Sequence, residues 1–194
     1  MDCDYILLDG LPVIRLFGKT DDEKTTCIFF RNYLPYFYVR AVKGREDDVK
    51  NFLDKKFKPQ LVEIQEVEKF LAKGFQQDKT KLLKIKTKDP SRVPEIRDAL
   101  LEQRFVDEIF EADILFRYRF MADHNLFGMR WYTVTGTANK TRTVKAEVCL
   151  DAEKITDAQD KPTNFKYLSI DIEIAVVGGL PDATKDAIAI VSLA

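Results

Sequence analysis

Asp171 and Glu173 lie two residues apart in the apolar segment 167–177. Because alternate residues of a β-strand point to the same side, the two carboxylates should project together. Ionised carboxylates are costly to bury without compensation, and a divalent cation would supply it. The pair therefore suits a two-metal phosphoryl-transfer site, which would need further carboxylates from elsewhere. The same spacing would also occur on the solvated face of an edge strand. A metal site and a solvated strand face are therefore both consistent with the sequence.

An aromatic cluster surrounds Pro35 and comprises Tyr33, Tyr36, Phe37 and Tyr38. In a strand, Tyr36 and Tyr38 would share one face and Phe37 would lie on the other. Aromatic rings beside basic residues can stack the bases of a single strand. The same rings could instead pack the core of a small sheet.

A third set, Arg117, Tyr118 and Arg119, follows an apolar stretch. It suits phosphate contacts, although an ordinary solvated turn would have the same composition. His124 is the only histidine and is assigned no role. The sequence contains no glycine-rich phosphate loop and no Ser/His/Asp or Cys/His set.

The composition excludes several classes of protein. The 194 residues carry 31 Lys and Arg against 32 Asp and Glu, and 45% are hydrophobic. Such a chain is not disordered, and without excess positive charge any nucleic-acid site must be local. Its 3 cysteines are too scattered for a disulfide framework or a metal site. The acidic N-terminus and the short apolar runs predict a soluble, cytoplasmic protein.

Periodicity predicts an α+β domain, a mostly antiparallel sheet with two covering helices. The first strands, at 11–17, 25–30 and 32–42, should form an antiparallel meander with Pro35 at an edge or a bulge. The remaining predicted elements are a helix at 49–57, strands at 61–67 and 83–87, a helix opening at 89–94 with Ser91 as its cap, and a strand at 106–110.

From about Met129 the composition changes, which predicts hairpins over 131–148, a polar linker over 154–163, and apolar strands over 167–177 and 186–194. A chain that stops inside an apolar strand would leave an unpaired edge. We therefore expect a longer parent protein.

Several stretches, in order, resemble the N-terminal portion of the archaeal family B DNA polymerases. They are Asp4-Tyr5, Leu11–Phe17, Arg31–Tyr38, Asp89–Asp98, Ile109–Phe116 and Tyr167–Glu173. The resemblance covers about residues 1–127 and 166–194. It implies a template-base recognition domain over 1–127 and the incomplete start of a 3′–5′ exonuclease domain, built of β-hairpins, over 128–194.

The resemblance implies that the first domain binds single-stranded template DNA and captures deaminated bases, uracil or hypoxanthine, ahead of synthesis. The implied pocket residues are Tyr5, Pro35, Tyr36, Pro90, Val93, Pro94, Arg97, Ile114, Phe116 and Arg119. A flipped base needs a narrow apolar slot with hydrogen bonds to its polar edge, here from backbone near Tyr36 and Ile114. Arg97 and Arg119 would hold the flanking phosphates. Phe120 stands where the family usually has Tyr.

Asp171 and Glu173 then resemble the first exonuclease motif, with both carboxylates binding Mg²⁺ or Mn²⁺ in the parent. Ile174 stands where the family usually has Thr, so proofreading by the parent stays open. The parent would be a DNA-directed DNA polymerase, a nucleotidyltransferase of DNA replication. Its partners would be the remainder of the chain and a sliding clamp, with no membrane. The present chain alone is expected to hold no metal and to catalyse nothing.

Two alternatives remain. The first is a metal-dependent nuclease or phosphatase built on Asp171 and Glu173. The second is a structural domain of an inactivated polymerase paralogue, which Phe120 and Ile174 would support.

Overall fold

The computed structural model describes residues 2–72, 74–140, 143–158, 168–176 and 178–194. The chain divides into two compact units, residues 1–159 and 160–194. In the described part of the first unit, the elements in chain order are β1 (Asp2–Leu8), β2 (Leu11–Lys19), β3 (Thr25–Phe30), β4 (Tyr36–Ala41), α1 (Glu46–Phe57), β5 (Leu61–Lys69), β6 (Thr80–Thr87), a 3₁₀ helix (Pro90–Arg92), α2 (Val93–Leu101), β7 (Val106–Phe110), α3 (Phe116–Asp123), β8 (Tyr132–Ala138) and β9 (Val148–Asp157).

The first sheet has the strand order β1-β2-β3-β9-β8. Only the β3–β9 pairing within it is parallel, and the other pairings are antiparallel. Asp9 and Gly10, both with positive φ, form the tight turn between β1 and β2. Apolar side chains of β2 and β3 meet α3 on one face, where the buried residues are Cys3, Ile14, Leu16, Ile28, Phe116, Phe120 and Leu126.

The second sheet has the order β5-β6-β4-β7 and is antiparallel throughout. Its connectivity, β4-α1-β5-β6-α2-β7, is a β-α-β-β-α-β unit. Both helices cover one face because each carries an apolar stripe at helical spacing. The buried residues of this layer are Phe37, Val39, Val49, Leu53, Phe57, Leu83, Ile85, Val93, Ile96, Ala99 and Leu100.

The α+β class with mostly antiparallel pairing is confirmed, but the predicted strand grouping is wrong. The strand after Pro35 leaves the meander and lies inside the second sheet, between β6 and β7. In the first sheet β9 lies beside β3 in its place, and β1 pairs with the other edge of β2. The part of the chain that the structure describes also contains a third helix, α3, which was not predicted. Local periodicity sets strand identity, whereas partner choice depends on contacts distant in sequence.

The C-terminal side of the first unit also differs from prediction. Residues 154–157 belong to strand β9 and not to a linker, and 159–163 lie outside the described residues. Strands β8 and β9 complete the first sheet, within the same compact unit as β1–β3. The domain boundary expected after residue 127 stays a prediction.

The described part of the second unit contains an antiparallel pair, β10 (Ile170–Ala175) and β11 (Ala187–Leu193). Both strands were predicted, and positions 167 and 177 of the first prediction lie outside the described residues. The register shifts between Glu173 and Ile174. Among the described residues, no helix has the length and apolar character needed to cross a membrane.

Candidate functional site

A cavity of about 570 Å³ lies in the first unit, lined by residues from both of its sheets and from α2 and α3. Every residue predicted for the pocket lines it, although those residues are spread over more than a hundred positions of sequence. They are Tyr5, Pro35, Tyr36, Pro90, Val93, Pro94, Arg97, Ile114, Phe116 and Arg119. The fold therefore brings the whole predicted set together.

Pro35 forms a fixed part of the wall. It lies immediately before β4, and its carbonyl accepts a hydrogen bond of 2.9 Å from the backbone N–H of the fully buried Thr87. The predicted edge or bulge position is wrong, because the proline precedes the first strand residue. A central strand therefore tolerates it, since no ladder donor is lost.

The second wall is the start of α2, with Pro90, Val93 and Pro94. The side chain of Asp89, not the predicted Ser91, caps the preceding 3₁₀ helix by accepting a 2.9 Å hydrogen bond from the Ser91 N–H. Val93 is 8% exposed and belongs both to the cavity lining and to the core beneath it. Proline rings and a core-packed valine give this wall little freedom to yield.

Aromatic rings form the floor of the cavity. Phe116 makes an edge contact with Tyr5, at 5.3 Å between ring centroids, and stacks on Tyr33 at 5.4 Å. Phe120, one helical turn along α3, is fully buried against Phe30 at 4.9 Å. The side chain at position 120 therefore packs into the core of the first sheet.

Tyr36 stands at the junction of the cavity and a polar network. Its hydroxyl donates to Asp123 Oδ2 at 2.5 Å, and Tyr33 donates to the same oxygen at 2.7 Å. Burial, followed by these bonds to Asp123, raises the pKa of both phenols well above the ordinary value. Both tyrosines stay neutral donors over the physiological range.

Arg119 is 8% exposed and also contacts Tyr36. Its guanidinium lies 4.7 Å from the Tyr36 ring centroid, and Nη1 is 3.4 Å from the hydroxyl. Glu111 pairs with the same guanidinium, and its carbonyl accepts from Nη2 at 3.2 Å. Within the chain, Arg119 is a buried brace for the wall, and its contact with a phosphate stays a prediction.

Arg97 projects from α2 at the cavity and pairs with Asp98 at 2.8 Å, with about a third of its side chain exposed. Because this pair is partly solvated, it holds the guanidinium only weakly. Arg97 can therefore exchange its carboxylate partner for a phosphate at small cost.

Sequence reasoning missed Glu111 and Asp123, whose side chains hold Arg119 and Tyr36 at this site. Glu111 also lines the cavity, in a left-handed backbone conformation with φ of 64°. Asp123 lies four residues after Arg119 in α3, a spacing that hints at a shared helix face. Its tyrosine partners are 87 and 90 residues away, so no local signal reveals them.

Asp171 and Glu173 lie in the second unit, on one side of β10, and both are exposed. Carboxylate oxygens are suitable ligands for Mg²⁺. Within the described residues, however, no group of three or more metal-ligating side chains occurs. The pair could therefore supply only part of a coordination shell.

Comparison with known proteins identifies the family. The family model "DNA polymerase family B, exonuclease domain" matches residues 107–194. DNA polymerase 2 of Aeropyrum pernix is 27% identical over 202 residues, covering 100% of this chain and 25% of the relative. The DNA polymerase delta catalytic subunit of Arabidopsis thaliana is 31% identical over 209 residues, covering 91% of this chain and 19% of the relative.

The fold is also that of a solved polymerase. The family B DNA polymerase from the hyperthermophilic archaeon Pyrobaculum calidifontis superimposes with a TM-score of 0.79 at 24% identity, over 99% of this chain and 24% of that chain. This chain thus spans a quarter or less of the length of these relatives. The resemblance read from the sequence is confirmed: the chain belongs to the family B DNA polymerases.

Proposed function

We propose that this chain is the template-reading part of a DNA polymerase, and that its cavity captures uracil or hypoxanthine from single-stranded DNA before it is copied. The observation that supports this best is the convergence of all the predicted pocket residues on one cavity of about 570 Å³. That volume is in the range of about 300–1,000 Å³ typical of small-ligand sites.

Selectivity against thymine would come from shape. Thymine differs from uracil by one methyl group, and the walls at Val93 and Pro35 are held by core packing and by a backbone hydrogen bond. Forcing a methyl group into a packed site costs about 1–3 kcal/mol, or roughly 5- to 150-fold in affinity. Cytosine would be refused because its reversed donors leave buried polar groups unpaired.

The walls would select the base and the arginines would orient the strand. Arg97, with its weakly held carboxylate partner, is the group best placed to bind a flanking phosphate. Arg119 would act mainly through Tyr36, whose ring it fixes at the cavity wall. The backbone near Tyr36 and Ile114 would then read the polar edge of the base.

The experiment compares Val93→Gln, which fills the slot, with Leu101→Gln as the matched control. Leu101 is on the same helix but 60% exposed. Val93→Gln should remove the preference for uracil-containing over thymine-containing oligonucleotides in fluorescence anisotropy, with the thermal midpoint tracking whether the fold persists. The control should keep the preference. A folded Val93→Gln variant with an unchanged preference would refute the pocket.

For the parent protein we propose primer extension, with Mg²⁺ or Mn²⁺ as cofactor, and Asp171 and Glu173 as ligands of its exonuclease metal. Two carboxylates on one side of β10 support this assignment. The match of residues 107–194 to an exonuclease-domain model favours it over an unrelated nuclease or phosphatase.

A further inference from the structure

The second sheet has an outer face, opposite α1 and α2, on which aromatic and basic residues are interleaved. Tyr36 and Tyr38 of β4 project to this face, because Phe37 and Val39 between them are buried in the helix-covered core. On β6, Lys84 lies directly opposite Tyr38 and Lys86 directly opposite Tyr36. Rings and ammonium groups thus alternate across the two central strands.

Two lysines on this face lie against tyrosine rings. Lys84 Nζ is 3.7 Å from the Tyr36 ring centroid. Lys69 Nζ is 4.3 Å from the Tyr38 centroid and donates to the Tyr38 hydroxyl at 2.8 Å. Attraction to the ring faces holds both ammonium groups in place.

Lys69 and Lys84 differ from the neighbouring Lys86 in their ion pairing. Lys86 has a carboxylate partner, Glu63, at 2.8 Å. Within the described part of the chain, neither Lys69 nor Lys84 makes an ion pair. They are therefore positioned cations whose charge no nearby carboxylate neutralises by direct contact.

The surroundings of Lys84 make its charge costly. Burial lowers the pKa of Lys84, and the nearby charges of Lys86, Lys69 and Arg119 lower it further, opposed by Asp123. A bound anion would relieve this repulsion and favour the protonated lysine. The face is thus electrostatically complementary to a phosphate group.

We propose that Lys69 and Lys84, held on the Tyr36–Tyr38 pair, bind the phosphodiester backbone of single-stranded DNA. The inference rests on the proposed function, because Tyr36 belongs both to this face and to the cavity wall. A strand that places one base in the cavity would continue across β4 and β6. Lys69 and Lys84 would hold the nucleotides beside the captured one.

Phosphates, and not bases, are the ligand of this face. Tyr38 is only 4% exposed because it is covered, and Lys69 lies over its ring. A base could stack there only by displacing that lysine, whereas a phosphate can bind an ammonium group where it already lies. Binding should therefore be independent of base identity.

The test measures the affinity of the full chain for a thymine-only and a uracil-containing oligonucleotide over a range of salt concentrations. Loss of one phosphate contact lowers the slope of log K against log salt by about 0.7 for a single strand, or about fivefold in affinity at 0.1 M salt. Lys84→Gln and Lys69→Gln should each show this loss equally for both oligonucleotides. Lys84→Arg, which keeps the charge, should retain the wild-type slope.

Lys55→Gln is the matched control, because Lys55 is an exposed lysine of α1 on the opposite layer of the sheet. It should change neither slope nor affinity. The proposal is overturned if Lys84→Gln and Lys69→Gln behave like Lys55→Gln, or if they alter only the uracil preference. The absence of a uracil preference in the wild-type chain would instead refute the proposed function, so the two failures are distinguishable.

Discussion

The guanidinium carbon of Arg119 lies 4.7 Å from the centroid of the Tyr36 ring. The carboxylate and the carbonyl of Glu111 fix Arg119, and Arg119 in turn holds the Tyr36 ring in place. Tyr36 is one wall of the cavity and also a support for Lys84. A single side chain thus couples the rigidity of the pocket to the position of a cation outside it.

Tyr36→Phe should destabilise the fold without opening the cavity. The change removes the hydroxyl that donates to Asp123 but keeps the ring against Arg119. A hydrogen bond to a charged acceptor contributes about 1.5–3 kcal/mol, so the free energy of unfolding in urea should fall by that amount. Tyr118→Phe is the control: Tyr118 is 54% exposed, and the effect should stay within about 0.5 kcal/mol. Equal losses in both variants would contradict the network.

Stability should fall at alkaline pH. Burial and the bonds to Asp123 raise the pKa of Tyr33 and Tyr36 above 10.0, so both are neutral in the fold and ionise first in the unfolded chain. The contribution of the two tyrosines to the free energy of unfolding is therefore fully present below about pH 10 and is lost as the pH rises further. Urea unfolding followed between pH 8 and 11 should show this decline. The decline should be less steep in Tyr33→Phe, because that variant has one fewer phenol to ionise. An equally steep decline would contradict the assignment of the pH dependence to Tyr33.

Gly136→Ala should weaken the β8–β9 pairing. A Cβ at this position would lie 2.0 Å from the Asp151 carbonyl oxygen, at the register shift between the strands. Overpacking of this kind costs about 1–3 kcal/mol, which a thermal unfolding curve would detect. Gly128→Ala is the matched control, because nothing lies within 4 Å of a Cβ there. A neutral Gly136→Ala would show that the strands do not approach as closely as described.

The chain should bind Mg²⁺ and Mn²⁺ weakly or not at all. Asp171 and Glu173 are both exposed and offer only part of a coordination shell. Isothermal titration of the wild-type chain should match that of an Asp171→Asn/Glu173→Gln double variant. A tight site present only in the wild type would support the alternative of a self-contained metal-dependent enzyme.

Much of the second sheet was predictable because its strands and helices carry clear periodicity. Leu83 and Ile85 alternate with lysines, and Val93, Ile96 and Leu100 repeat at helical spacing, and all five of these apolar residues are buried. Strand β1 and helix α3 were missed, because their polar and apolar residues follow neither period cleanly. In the parallel pairing of β3 with β9, Cys27 lies opposite Cys149. No local sequence pattern predicts a pairing between strands so far apart in the chain.

The site shows the same division. Pocket residues were predicted by family resemblance, and the structure brings them to one cavity. The residues that brace the pocket, Glu111 and Asp123, were not predicted, since their roles depend on partners set by the tertiary fold. Arg119 was expected at a phosphate, but its surroundings make it first a support for Tyr36.

The proposed function requires the cavity to distinguish uracil from thymine. Fluorescence anisotropy of the wild-type chain, at one salt concentration, with two oligonucleotides that differ only by one uracil-for-thymine replacement, tests it directly. We expect tighter binding of the uracil strand, by roughly 5- to 150-fold for a methyl group excluded by a packed wall. Equal affinity for the two strands would contradict it.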